Sequence, residues 1–175
     1  MSSGLVREMR AWRAPVLFSL IVSGLLVFWV LPVKVAGPSM DPTLSSGDTL
    51  LAERTPMAPI ARGDIVVFRP LANSDVYLIK RVIGIPGDRI RFIDFGVWLN
   101  GRRLYESYVR QPWTLDDSYL SGGELTLAND EYFLMGDYRD QSTDSRQLGP
   151  QPRSRIVGRV WLRIWPISRA SAWFD

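Results

Sequence analysis

The chain contains no cysteine and no histidine. Without cysteine there is no disulfide, and the redox state of its compartment leaves no mark on it. Without histidine a Ser–His–Asp triad is excluded; with both residues missing, so are a Cys–His pair, zinc fingers and most zinc hydrolase sites. A catalytic base, if there is one, must come from Lys, Asp, Glu or Tyr. Lysine is itself scarce: among 21 cationic residues only Lys34 and Lys80 are lysine, and the others are arginine. No dense basic block occurs either. The arginines are scattered among 18 acidic residues for a net charge of +3, which gives no reason to expect a nucleic-acid partner.

Hydrophobic residues make up 46% of the 175, enough for one modest domain with its own core after an anchor is subtracted. Seven Trp, seven Phe and six Tyr favour strands or membrane interfaces. Residues 14–33 carry no charge, a run long enough to span a hydrocarbon core as a helix. Arg7, Arg10 and Arg13 against Glu8 precede it and Lys34 follows it, so 1–13 is expected in the cytoplasm and 34–175 outside. Trp12 and Trp29 lie near its two ends. The rival reading is a cleaved secretory leader. The apolar run exceeds the usual leader core of about 7–15 residues. Lys34-Val35-Ala36 also puts Lys where a cleavage site wants a small residue. A retained single-pass anchor in the plasma membrane is therefore expected, with the phospholipid bilayer as a partner.

Beyond the anchor the pattern is mainly β, an antiparallel sheet domain. Period-two runs predict strands over 49–52, 65–68, 75–85, 89–95, 97–99, 102–105, 131–135 and 156–165. Asn100-Gly101 reads as a type I′ hairpin turn. Residues 106–130 are polar and turn-rich and are expected to form a hairpin excursion. Trp161, Trp165, Trp173 and Phe174 are candidates either for a bilayer-facing patch or for ordinary core burial.

Three segments carry candidate chemistry. In the strand around Lys80, alternation puts its side chain with Val76, Leu78 and Val82, and Arg81 on the opposite face. Burial on an apolar face disfavours an ammonium and yields an amine that can take a proton, which Arg cannot do. A lysine kept in so arginine-rich a chain suggests that its ionisation matters. The plainer reading is a lysine whose tip reaches water. The second segment, Gly37-Pro38-Ser39-Met40-Asp41-Pro42-Thr43-Leu44, holds a serine between two prolines that forbid a helix and stiffen the loop. An exposed, fixed serine suits nucleophilic attack when a base is near, and is otherwise an ordinary turn. The third, 136–146, packs Asp137, Asp140 and Asp144 with Arg139, Arg146, Ser142 and Ser145 into one loop. It is either a solvated turn or a polar scaffold for a catalytic amine.

Together these segments resemble bacterial type I signal peptidases. The matches run in the family's order: the box at 37–44, Arg62-Gly63-Asp64-Ile65-Val66-Val67-Phe68, the box from Tyr77 through Lys80 and Arg81 to Pro86-Gly87-Asp88, and the box at 136–146 followed by Gly149. The resemblance implies that Ser39 is the nucleophile and Lys80 its base. It implies that Ser142 hydrogen-bonds and orients the lysine, and that Asp144 and Arg146 pair to hold the last box against the site. Val35, Met40, Leu44 and Leu78 fall where shallow substrate pockets are lined. At the position two before the nucleophile some members carry a hydroxyl, whereas this chain has Gly37, which leaves the backbone N–H of Ser39 as oxyanion donor. Tyr138 stands where Asn is common. The implied activity is removal of signal peptides from exported pre-proteins after small residues at −1 and −3, with no metal or cofactor. A specialised conjugation- or pilus-type Ser–Lys peptidase and a non-catalytic anchored β-domain remain open at this point. A self-cleaving repressor-type switch suits neither the anchor nor the lack of a DNA-binding helical domain.

Overall fold

A computed structural model describes residues 12–13, 15–20, 23–24, 28–54, 58–70, 75–109 and 123–172. Twelve strands run in chain order: β1 Val30–Lys34, β2 Thr49–Glu53, β3 Ile65–Phe68, β4 Leu78–Gly84, β5 Arg89–Ile93, β6 Gly96–Leu99, β7 Arg102–Arg103, β8 Leu125–Thr126, β9 Glu131–Met135, β10 Gln151–Pro152, β11 Ile156–Trp165 and β12 Ser171–Ala172. The main sheet has the order β1-β2-β11-β3-β4-β9-β10, with β12 added to β11, and a smaller sheet has the order β7-β6-β5-β8. Every pairing is antiparallel. One short helix, α1 Ser145–Leu148, follows β9.

The expected strands at 65–68, 131–135 and 156–165 appear as drawn, those at 49–52, 89–95 and 97–99 with small shifts, and that at 102–105 is shortened to Arg102–Arg103. Asn100 and Gly101 have φ of 52° and 79°, as a type I′ turn requires. The Asp94-Phe95 turn between β5 and β6 uses the same positive region at 48° and 55°, which composition does not announce because Phe rarely adopts it. Residues 75–77 precede β4 and do not belong to it, and the exposed Val76 shares no strand face with Lys80.

The apolar span needs a correction at its end. Residues 30–33 belong to β1, where Leu31 opposes Ala52 and Val33 opposes Leu50, and so form the edge of the β domain. Helical backbone occurs at 12–13, 15–20, 23–24 and 28–29, with Trp12, Phe18 and Phe28 exposed. Among the described residues no helix is long and apolar enough to cross a membrane; much of the expected anchor lies outside them. Of the expected excursion, 110–122 lies outside too, while Leu125 pairs with Ile90 and adds β8 to the smaller sheet. Trp161 is half-buried and Trp165 exposed; Trp173 and Phe174 fall outside the described residues.

Three apolar clusters fill the space between strands. β3 is buried on both faces, giving Ile65 and Val67 to one cluster and Val66 and Phe68 to another. β9 does likewise, with Tyr132 and Leu134 on one side and Phe133 and Met135 on the other. The first cluster includes Val35, Met40 and Leu44, so the loop bearing Ser39 is seated on core. Where β4 leaves the main sheet, Gly84 sits under the second cluster: a Cβ there would lie 2.7 Å from Ile90 Cδ1, 2.8 Å from Leu127 Cδ1 and 3.3 Å from Phe133 Cβ. The two methyl ends can swing but the Phe133 Cβ cannot. Gly84→Ala is therefore expected to cost about 1–3 kcal/mol by overpacking, read as a lower denaturant midpoint at unchanged slope.

Candidate active site

Pro38 and Pro42 keep residues 37–44 from forming a regular helix, and the loop closes through two short bonds: Asp41 N–H to Pro38 O (2.8 Å) and Leu44 N–H to Met40 O (2.8 Å). Met40 and Leu44 anchor it in the first cluster, which leaves Ser39 partly exposed. β4 brings Lys80 to it. Nζ lies 2.8 Å from Ser39 Oγ and donates to Ile79 O at 2.9 Å. Lys80 is 2% exposed. Its pKa is pushed down to about 8, chiefly because burial strips water from the ammonium; Asp144 and Asp137 oppose the shift and Arg146 assists it. A hydroxyl and an amine of accessible neutral form are thus in hydrogen-bonding contact, the arrangement that a Ser–Lys pair needs.

The 136–146 loop forms the wall behind the dyad. Tyr138 N–H donates to Ser39 O at 3.1 Å. Gly136 is packed so tightly that a Cβ would lie 2.5 Å from Ser39 O and 2.2 Å from Ser142 Oγ, so only glycine fits. Asp144 is fully buried and caps α1. One of its carboxylate oxygens accepts from Gly136 N–H (2.9 Å), Ser142 Oγ (2.7 Å) and Arg146 Nη2 (3.0 Å), and the other from Arg146 Nε (2.9 Å). Asp144 and Arg146 form an ion pair within this loop. The Ser142 hydroxyl donates to Asp144, and Lys80 Nζ bonds to Ser39 and Ile79. A hydroxyl that donates to a carboxylate keeps its lone pairs as acceptors.

Gly37 has φ +88° with open space where a side chain would stand. The left-handed backbone suits glycine, so a side-chain hydroxyl at this position would carry backbone strain. Beside Ser39 opens a cleft of about 430 Å³ lined by Leu31, Val33, Val35, Ala36, Met40, Val67, Tyr77, Leu78 and Ile79, with Ser39 and Lys80 at its floor. Val35, Met40 and Leu78 line it as expected. Leu44 does not; it is fully buried beneath the loop in the first cluster, because its helical-turn bond to Met40 directs it inward. The contribution of β1 was invisible in the sequence, where 31 and 33 read as membrane span.

The largest omission is the ion pair of Arg81 with Asp137. Nε meets Oδ1 at 2.9 Å and Nη2 meets Oδ2 at 2.7 Å, with both side chains buried. Thr43 Oγ1 donates to the same carboxylate at 2.5 Å. The strand bearing the base, the loop bearing the nucleophile and the wall loop thus meet on one carboxylate. Arg81 was visible as the residue facing away from Lys80, but nothing in the pattern named its partner. Among the described residues no group of acids, Cys or His is placed to hold a metal ion.

The family model described as "Signal peptidase, peptidase S26" matches residues 9–165. A probable signal peptidase I-2 of Synechocystis is 34% identical over 148 residues, 81% of this chain and 66% of its own length. A signal peptidase I of Bacillus caldolyticus is 36% identical over 176 residues, 93% of this chain and 95% of its own. Among solved structures, a signal peptidase I of Enterococcus faecalis aligns over 59% of this chain and 98% of its own, at 25% identity and a TM-score of 0.47; the family assignment does not depend on it. From its family model and these relatives, the chain belongs to the signal peptidase family, peptidase S26.

Proposed function

We propose that the chain is a membrane-bound serine endopeptidase that removes signal peptides from exported pre-proteins. The observation that carries this reading is the 2.8 Å contact between Lys80 Nζ and Ser39 Oγ at the floor of an apolar cleft. Neutral Lys80 takes the Ser39 hydroxyl proton as Oγ attacks the scissile carbonyl carbon. The oxyanion is met by the backbone N–H of Ser39. The lysine, now an ammonium, gives its proton to the departing amine as the C–N bond breaks. Lys80 then takes a proton from water, whose oxygen attacks the acyl ester and releases the acid and Ser39. Ser142 holds Asp144, and Asp144 and Arg146 act on the Lys80 ammonium through their charge.

The cleft suits an extended peptide. Among the described residues β1 is an edge strand, and β4 pairs with β9 only from Arg81 onward, so Leu78, Ile79 and Lys80 have no strand partner there on β9's side. A substrate strand laid between these edges adds main-chain hydrogen bonds. Shallow walls built from Val35, Met40 and Leu78 suit small side chains at −1 and −3. The apolar residues before β1 are read as a single-pass anchor with a cytoplasmic N-terminus, which holds the cleft outside the plasma membrane near its surface. Exposed Trp165 and Ile167 suit contact with the bilayer interface.

Cleavage of a pre-protein by the full chain in detergent is the direct test. Ser39→Ala and Lys80→Arg are each expected to lose at least about 1,000-fold in kcat/KM while staying folded. Full activity in Lys80→Arg, which keeps the charge without an accessible neutral form, would reject the mechanism. In the wild type kcat/KM should climb through a midpoint near the Lys80 value of about 8 and level off above it, since the protonated amine is inactive. Stability should move in the same direction. With its folded-state value depressed below the ordinary 10.5 of a solvated lysine, Lys80 binds fewer protons folded than unfolded between about 8 and 10.5. Stability therefore rises with pH across that window. The stability gap between Lys80→Met and wild type should narrow by about 2 kcal/mol from pH 7 to pH 10, measured by urea melts. Gly136→Ala, whose Cβ would strike Ser39 O, should lose activity at least about 100-fold.

A further inference from the structure

The wall behind the dyad does not stand on the main sheet alone. After β7 the chain passes Leu104, Tyr105 and Glu106 and closes a turn in which Val109 N–H donates to Glu106 O at 3.2 Å. Val109 is buried in the second cluster and Tyr108 packs against it, so the turn is fixed to the smaller sheet. From there two side chains reach the site. The Tyr108 ring lies under the Arg81 guanidinium, 4.0 Å from its Cζ. The Tyr108 hydroxyl donates to Glu106 Oε1 at 3.0 Å. Glu106 accepts both terminal nitrogens of Arg139, one at 3.1 Å, and Arg139 Nε donates to Gly136 O at 3.0 Å. Arg139 is almost wholly buried, as are Arg81 and Asp137.

We propose that Tyr108 and Glu106 are positioning residues for the Ser39–Lys80 dyad, holding from the smaller sheet the two arginines that fix Asp137 and Gly136. This deepens the peptidase reading and rests on it. Arg81 is held on one side by Asp137 and on the other by an aromatic face, an arrangement that is strong where water is excluded. Without that face the guanidinium regains freedom to leave Asp137. Asp137 then loses its closest cation, and Thr43 and the Gly136–Tyr138 backbone lose their common anchor. The hydroxyl–Glu106–Arg139 branch does the same for Gly136 O, one peptide unit from the atoms that touch Ser39. Neither residue contacts a reacting atom; both act through groups that fix the backbone around Ser39.

The test uses the two lysines of the chain. Full-length protein carrying 13C at lysine Cε gives one resonance from Lys80 and one from Lys34, whose titrations are followed by NMR in detergent. The groups that act on the Lys80 ammonium are Asp144, Asp137 and Arg146. Tyr108→Leu frees Asp137 to stabilise the ammonium, so the Lys80 midpoint should rise by about 0.5 while Lys34 stays where it is. Tyr108→Phe keeps the ring under Arg81 and should leave the midpoint unmoved. In pre-protein cleavage Tyr108→Leu should cut kcat by about 10-fold with KM within about 2-fold, and Tyr108→Phe should recover most of that loss. Glu106→Gln should fall between them. The proposal is overturned if Tyr108→Leu lowers the melting temperature yet leaves the Lys80 midpoint and kcat unchanged, or if Tyr108→Phe is as impaired as Tyr108→Leu. The titration needs no turnover, so it decides the proposal even if no pre-protein is cleaved, whereas an inactive wild type with the expected titrations would count against the peptidase reading alone.

Discussion

The structure depends on keeping one amine nearly dry at 2.8 Å from one hydroxyl. Burial alone would push the Lys80 pKa far down, and the two nearby carboxylates, Asp144 and Asp137, alone would push it up. The outcome, about 8, leaves an appreciable neutral fraction near neutral pH. It results from a compromise in which each carboxylate is already partly spent on an arginine: Asp144 on Arg146 and Asp137 on Arg81. A bare carboxylate beside Lys80 would trap it as the ammonium. A carboxylate with a guanidinium of its own gives structure without pinning the proton. Arginine serves nearly everywhere else in the chain, and the mechanism proposed needs at this buried position a group that can lose its proton, which arginine cannot do.

The same pairs solve a mechanical problem. Ser39 and Lys80 lie far apart in sequence, on a loop and a strand, and the wall at 136–146 comes from a third region. Apolar packing seats each part but does not fix the distance between two polar tips. Buried ion pairs are weak contributors to net stability yet demanding about geometry. Asp137 ties Arg81, Thr43 and its own loop together, and Asp144 ties Gly136, Ser142 and Arg146. Removing the acid or the arginine from either pair leaves a buried charge unmatched, so these four positions tolerate less change than the cluster of methyl groups below them.

Much of this was legible from the residues. The strands came from alternation and the hairpin at Asn100-Gly101 from turn chemistry, while the pairing of Ser39 with Lys80 came from the family resemblance, the local pattern leaving each residue with a plainer reading. What was not legible had physical causes. β1 is hydrophobic on both sides of its alternation and continuous with an apolar run, so period and length both assigned it to the membrane. Leu44 was placed in the cleft because its box is near the nucleophile, but one turn of helix-like bonding rotates it into the core. For Ser142 the resemblance implied the lysine, and its bond to Asp144, two residues on, was not visible in the pattern. Local pattern reports which face a residue occupies; it does not report which of several polar partners wins.

The cleft shows why such an enzyme is built around an incomplete sheet. Strands β1 and β4 each leave backbone groups unpaired where the main sheet curls, a feature that soluble proteins usually suppress because open edges invite association with other chains. Here the invitation is the function proposed. The edge is kept short on β4, since pairing with β9 resumes at Arg81, and the residue that ends the open stretch is Lys80 itself. A peptide strand that pairs along Leu78 and Ile79 therefore runs out of sheet at the catalytic amine. The register of the added strand, set by main-chain hydrogen bonds indifferent to side-chain identity, then leaves selectivity to the few shallow walls around Val35, Met40 and Leu78. On this geometry main-chain pairing selects an extended backbone and the walls around Val35, Met40 and Leu78 limit side-chain size, which is what the proposed function asks of the cleft.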